Sequence, residues 1–127
     1  MIATKNFNPN TDPKLLCTCG HPKCDKRSVK QTVLDKVQLI REDANRPLTI
    51  TSGGRCPYHP NEIHRDEPAD HQNCICVDVL YRTVLERNEL MVLAGRHGAN
   101  AVAAGKSFIH MAWREDIGNR IASWEYK

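Results

Sequence analysis

Six cysteines and six histidines share a chain of 127 residues, more than a generic apolar core of that size calls for. MIATKNFNPN has no apolar stretch, so no secretory signal is expected, and no run reaches the roughly 18 apolar residues of a membrane span. At this density and without an export signal, cysteines point to metal ligation or redox chemistry before a disulfide framework. Hydrophobic residues at 40% and charged residues at 26% place the chain among globular proteins and not disordered ones. The length fits one domain, residues 1–127. A net charge of +3 is too mild to argue for a nucleic-acid partner.

Hydrophobic periodicity predicts an α+β fold, a small antiparallel sheet with two main helices and a metal site on the sheet face. Residues 1–13 are polar, carry Pro9 and Pro13, and read as an N-terminal arm. The first helix is expected to open at Ser28, with Gln31 completing a capping box. It would carry Val29, Val33, Val37 and Ile40 inward and end at Asn45 and Pro47. Leu48 to Thr51 reads as a strand, and residues 55–73 as a long loop whose histidines (His59, His64, His71) suggest function. Cys74 to Leu80 reads as a second strand. Thr83 and Glu86 then cap a helix that Gly98 stops. Strands are expected at Ala99 to Ala103 and Ser107 to Trp113, with Ile121 to Tyr126 on an edge.

Two groups of residues carry chemistry. His71, Asp78 and His110 can converge on one sheet face. Two imidazoles and a carboxylate leave a position open on Zn²⁺, where the metal can polarise a carbonyl and acidify water. The plainer alternatives are a solvated loop histidine and an aspartate that caps or pairs. Cys17, Cys19, His21 and Cys24 form the second group, a Cys/His cluster over residues 17–24. Cys-x-Cys is too tight for one ion to be held easily by all four, so a distant partner is expected from Cys56, Cys74 or Cys76. A structural zinc, disulfides or buried thiols all remain open. Strand alternation would put Cys74, Cys76 and Asp78 on one face, with both sulfurs beside the metal.

The order ITSGGRCPYHPN, ADHQNCICVDV, SFIHMAW resembles the zinc D-alanyl-D-alanine peptidase family, which includes D,D-carboxypeptidases and phage peptidoglycan hydrolases of the hedgehog-like zinc fold. The family pattern is SGxRxPxxN, SxHxxGxAxD, FxHxD, and the likeness spans roughly Asp12 to Trp113. The resemblance implies that His71, Asp78 and His110 hold a catalytic zinc and that Arg55 binds a substrate carbonyl or carboxylate. It implies hydrolysis of peptidoglycan stem peptides next to D-alanine. With no export signal expected, a phage-encoded protein, cytoplasmic on synthesis and acting on the cell wall, fits better than a resident periplasmic enzyme. The mild charge and the lack of an apolar span argue for no nucleic-acid and no membrane partner. This chain departs from the pattern at Ala69, Cys74, Cys76 and Ala112, and has Ser107 where some relatives carry an acidic base. Serine cannot take a proton from water at neutral pH. The general base is therefore unassigned, with Glu62, His64, Asp70, Glu115 and Asp116 as candidates. A zinc-stabilised binding module that has lost its base is the alternative.

Overall fold

The computed structural model describes residues 2–115, 117 and 120–126. After a short 3₁₀ turn at Pro13–Leu15 come α1 (Gln31–Ala44), β1 (Ile50–Ser52), β2 (Cys76–Leu80), α2 (Val84–Arg96), β3 (Ala101–Ala104), β4 (Phe108–Ala112) and β5 (Ala122–Glu125). The fold is α+β. The strands lie in the order β1-β2-β4-β3-β5. Three pairings are antiparallel, and β5 runs parallel to β3 at the edge, so the sheet is mixed and not antiparallel throughout.

Alternation along the central strands divides the sheet into two chemically distinct faces. Val77, Val79, Ile109 and Met111 turn to the helices and join Val33, Leu34, Val37 and Ile40 of α1 and Leu90, Leu93 and Ala94 of α2 in the main core. The other face carries Asp78 opposite His110, and Cys76 opposite Ala112. Small residues, Ala101 and Ala112, surround Cys76 there, with Ala122 and Trp124 packed against them.

The helix ends follow local chemistry. Thr83 caps α2 by accepting from the Glu86 N–H at 3.1 Å, and the Glu86 carboxylate accepts from the Arg82 N–H at 3.0 Å. Asn45 ends α1 in the left-handed conformation, φ 53°. At the other end of α1 the expected Ser28 cap is absent. The helix starts at Gln31 behind Lys30, which offers no side-chain cap. The backbone around Ser28 is engaged elsewhere: Ser28 bridges Leu16, and the Val29 N–H donates to the Leu15 carbonyl at 3.0 Å. The Gln31 amide instead grips the Ala3 backbone in both directions, at 2.8 and 2.9 Å. The N-terminal arm thus lies along α1, with Phe7 buried in the core.

β2 begins at Cys76 and not at Cys74, because Cys74 has a left-handed backbone (φ 60°) that breaks the alternation. Its sulfur turns away from the sheet face, to 3.7 Å from the Gln72 carbonyl. The expectation that Cys74 shares a face with Asp78 is therefore overturned, while Cys76 keeps that face.

Candidate metal centre

β2 and β4 place Asp78 and His110 as directly opposed residues, and the loop before β2 returns His71 over them. His71 Nε2 lies 3.4 Å from Asp78 Oδ2, and His110 Nδ1 lies 2.9 Å from Asp78 Oδ1. All three side chains are buried.

The far nitrogen of each imidazole is held. His71 Nδ1 is 2.7 Å from the Gly53 carbonyl oxygen, which only accepts, so Nδ1 carries a proton and Nε2 faces Asp78. His110 Nε2 is 2.9 Å from Asp70 Oδ2, leaving Nδ1 toward Asp78. Asp70 is gripped in turn by Arg114, with Nε to Oδ1 at 2.8 Å and Nη2 to Oδ2 at 2.9 Å. This chain of carboxylate, imidazole and open donor is how proteins orient metal-ligating histidines.

The electrostatics follow the geometry. Burial alone would raise the Asp78 carboxyl, but hydrogen bonds from His110 and His71 hold it at about 2. Burial likewise opposes ionisation of Asp70, and His110 and Arg114 overcome it, again to about 2. Burial would lower His110, yet the carboxylates at both of its nitrogens raise it above the ordinary histidine value. Asp78 and Asp70 thus flank the His110 ring, one at each nitrogen.

Cys76 adds a soft donor. One ligand atom from each of His71, Cys76 and His110 lies within 4.8 Å of the others, so these residues can hold a metal ion. Burial, then the charges of Asp78 and Asp70, push the Cys76 thiol well up. Cys17, Cys19, Cys24 and Cys56 form a second group within the same spacing. Cys56 is thus the distant partner of the 17–24 cluster. His21 is not part of it; its ring stacks on Tyr58, with centroids 4.6 Å apart. Cys74 belongs to neither group.

A cavity of about 640 Å³ opens over the histidines. Arg55 lines it, and its Nη1 pairs with Glu62 at 3.2 Å, so it is both a cavity residue and a loop anchor. Among the described residues, Arg55 Nε is a buried donor with no acceptor. Such orphans are rare in folded proteins, and a water or ligand oxygen can accept from this one. Phe108, Trp124 and Tyr126 form an aromatic wall. Trp124 stands 5.1 Å from the His110 ring and under the Arg114 guanidinium at 5.1 Å. The sequence pattern places Ile121 to Tyr126 on an edge without marking Trp124 for the site. The period-two spacing of Trp124 and Tyr126 on an edge strand was the available signal.

The candidate bases divide clearly. Asp70 is committed to His110 and Arg114. Glu62 is buried and lines the cavity, but Arg55 and Arg65 both pair with it at 3.2 Å. His64 and Glu115 are exposed and do not line this cavity. Asp116 lies outside the described residues. His97, at the C-cap of α2, pairs with Asp43 of α1 at 2.6 Å.

Neither the family models, the curated proteins nor the solved structures compared with this chain yield a match. No helix among the described residues is long and apolar enough to cross a membrane.

Proposed function

We propose that the protein is a zinc-dependent peptidase that hydrolyses peptidoglycan stem peptides beside D-alanine. In this reading a phage-encoded protein acts on the cell wall. The observation that carries it is the orientation of the two imidazoles. Gly53 and Asp70 bind their outer nitrogens, so His71 Nε2 and His110 Nδ1 both face Asp78 at the floor of an open cavity. The donor set fits zinc, which takes imidazole and carboxylate ligands and leaves a fourth position open at catalytic sites. Bound there, zinc would supply Lewis-acid polarisation of a carbonyl and acidification of water.

The chain's own residues supply the rest. Arg55 offers a fixed positive charge and an unsatisfied Nε–H to a substrate carbonyl or carboxylate. Asp70 and Arg114 keep His110 in one orientation. The aromatic wall excludes water from the side of the cavity bordered by β5 and packs against the substrate's apolar groups. The substrate class rests on the resemblance of the SGGR, HQNCICVD and FIH segments to the D-alanyl-D-alanine peptidases.

The deciding experiment is digestion of purified peptidoglycan by wild type and His71→Ala, with released peptides identified by mass. The reading expects release by the wild type alone. Equal solubilisation by both overturns it.

One observation favours a second reading. The Cys76 sulfur is close enough to both histidines to serve as a further protein ligand. A site closed by four protein ligands is structural, not catalytic. The chain would then be a metal-stabilised cell-wall-binding or virion component. That reading expects wild type to sediment with peptidoglycan and release nothing, and Cys76→Ala to lose both the metal and the sedimentation. The peptidase reading expects wild-type release.

A further inference from the structure

We propose that Cys17, Cys19, Cys24 and Cys56 form a closed tetrathiolate site for a zinc-class divalent ion. Through Cys56 this ion would fix the segment on which the His71 centre is hung. The coupling half of this inference rests on the metal reading of the His71 centre; the thiolate site itself does not.

The geometry of the sulfurs comes first. All four lie within 4.8 Å of one another, and those of Cys19 and Cys56 are 3.5 Å apart. Four thiolates around one zinc at about 2.3 Å stand roughly 3.8 Å from each other in a regular tetrahedron. Cys17 and Cys56 are buried, and Cys19 and Cys24 are partly so. The site therefore closes from inside and needs no solvent ligand.

The backbone is arranged for thiolates. The Lys26 N–H donates to the Cys24 sulfur at 3.4 Å, from two residues further along the chain. Burial pushes the Cys56 thiol up, and the Tyr58 backbone, donating across the same two-residue step, opposes it. Donors aimed at sulfur favour its charged form. Gly20 (φ 78°), between Cys19 and Cys24, adopts a left-handed turn that helps bring the two sides of the cluster together. All-thiolate tetrahedral sets select zinc-class ions over harder cations.

The path between the two centres is short and specific. Cys56 directly follows Arg55, whose N–H donates to the His71 carbonyl at 3.0 Å. The Gly53 carbonyl sets the His71 tautomer at 2.7 Å. The Gly54 N–H donates to the Leu15 carbonyl at 3.2 Å, beside Cys17. Four consecutive residues, 53–56, thus touch the imidazole, the cavity, the N-terminal segment and the thiolate cluster. An ion that ties Cys56 to residues 17–24 holds all of these in register.

The test is thiol counting on the zinc-loaded wild type under reducing conditions, before and after a chelator is added. Protection of Cys17, Cys19, Cys24 and Cys56 that chelation abolishes is expected. Free reaction of all four with zinc present, or a Cys19–Cys56 disulfide in protein purified under reductant, overturns the site. Cobalt loading of Cys24→Ser and Cys74→Ser supplies the second measurement. Loss of thiolate-to-cobalt absorption in the first and retention in the second support the assignment; equal absorption in both opposes it. For the coupling, Cys24→Ser should weaken the remaining site's zinc affinity at least tenfold, and an unchanged affinity removes that half. Failure of peptidoglycan release alone leaves thiol protection intact, so the two readings fail separately.

Discussion

Asp70 is the residue whose replacement separates orientation from ligation. It does not face the space between the histidines. It accepts from His110 Nε2 and is held by two Arg114 nitrogens. In Asp70→Asn the ring loses its charged partner and the guanidinium loses its counter-ion, while all three proposed ligands remain. Changes to such outer partners weaken metal binding roughly 10–100-fold. Competition against a chromophoric chelator should show that drop, and wild-type affinity would remove Asp70 from the site. Tyr126 offers a pH test on the cavity wall. Partial burial, then the negative charge of Asp78, raise its phenol from 10.0 to about 12. A group raised on folding contributes stability that is complete below its ordinary pKa. That contribution is lost as pH climbs from 10 toward about 12. Titration of tyrosinate absorbance should therefore show a late step that Tyr126→Phe removes. Identical curves for the two proteins would refute the shift.

At the scale of elements, the two helix starts show what local pattern can and cannot decide. Thr83 accepts from the Glu86 N–H as its spacing predicts, while the Glu86 carboxylate takes the Arg82 N–H, one residue before the cap, and lies 3.6 Å from Arg46. Ser28 and Gln31 have the same spacing, but the backbone near Ser28 pairs with residues 15–16 and Gln31 serves Ala3. The distinction is measurable. Thr83→Ala should cost about 1 kcal/mol in chemical denaturation, and Ser28→Ala under about 0.5 kcal/mol. Equal losses would mean that Ser28 caps after all. The same contrast governs the site. Asp78 and His110 were legible because strand alternation sends both to one face, and Cys76 came with them. Cys74 was misplaced because its φ of 60° is set by the loop and not by the strand pattern. The pairing of Cys56 with the 17–24 cluster was one possibility among several, since chain spacing does not say which distant segment folds back. The aromatic wall was missed for a related reason: β5 joins parallel to β3, a pairing that periodicity alone does not specify.

For the whole molecule, the decisive joint is where the N-terminal segment meets the loop after β1. Leu15 accepts from both Val29 and Gly54, Cys17 donates to Arg27, and Gly53 holds His71. That crossing admits no side chain on the loop. A Cβ on Gly53 would stand 2.8 Å from the Lys14 carbonyl oxygen, and one on Gly54 only 2.4 Å from that of Arg27. Backbone cannot yield as a flexible side chain would, so the strands of chain must part. Gly54→Ala should therefore destabilise the fold by about 1–3 kcal/mol, the usual range for overpacking. It should also do more than a core substitution of equal cost. Parting the crossing moves Cys56 from its sulfur partners and the Gly53 carbonyl from His71, so zinc affinity should fall at both centres together. A destabilising control far from the joint, such as Thr83→Ala, should lower the melting temperature yet leave both affinities alone. Chelator competition and thermal melts on the two variants would separate these outcomes. If Gly54→Ala lost stability while both affinities held, the crossing would be a packing feature only, and the two centres would be independent.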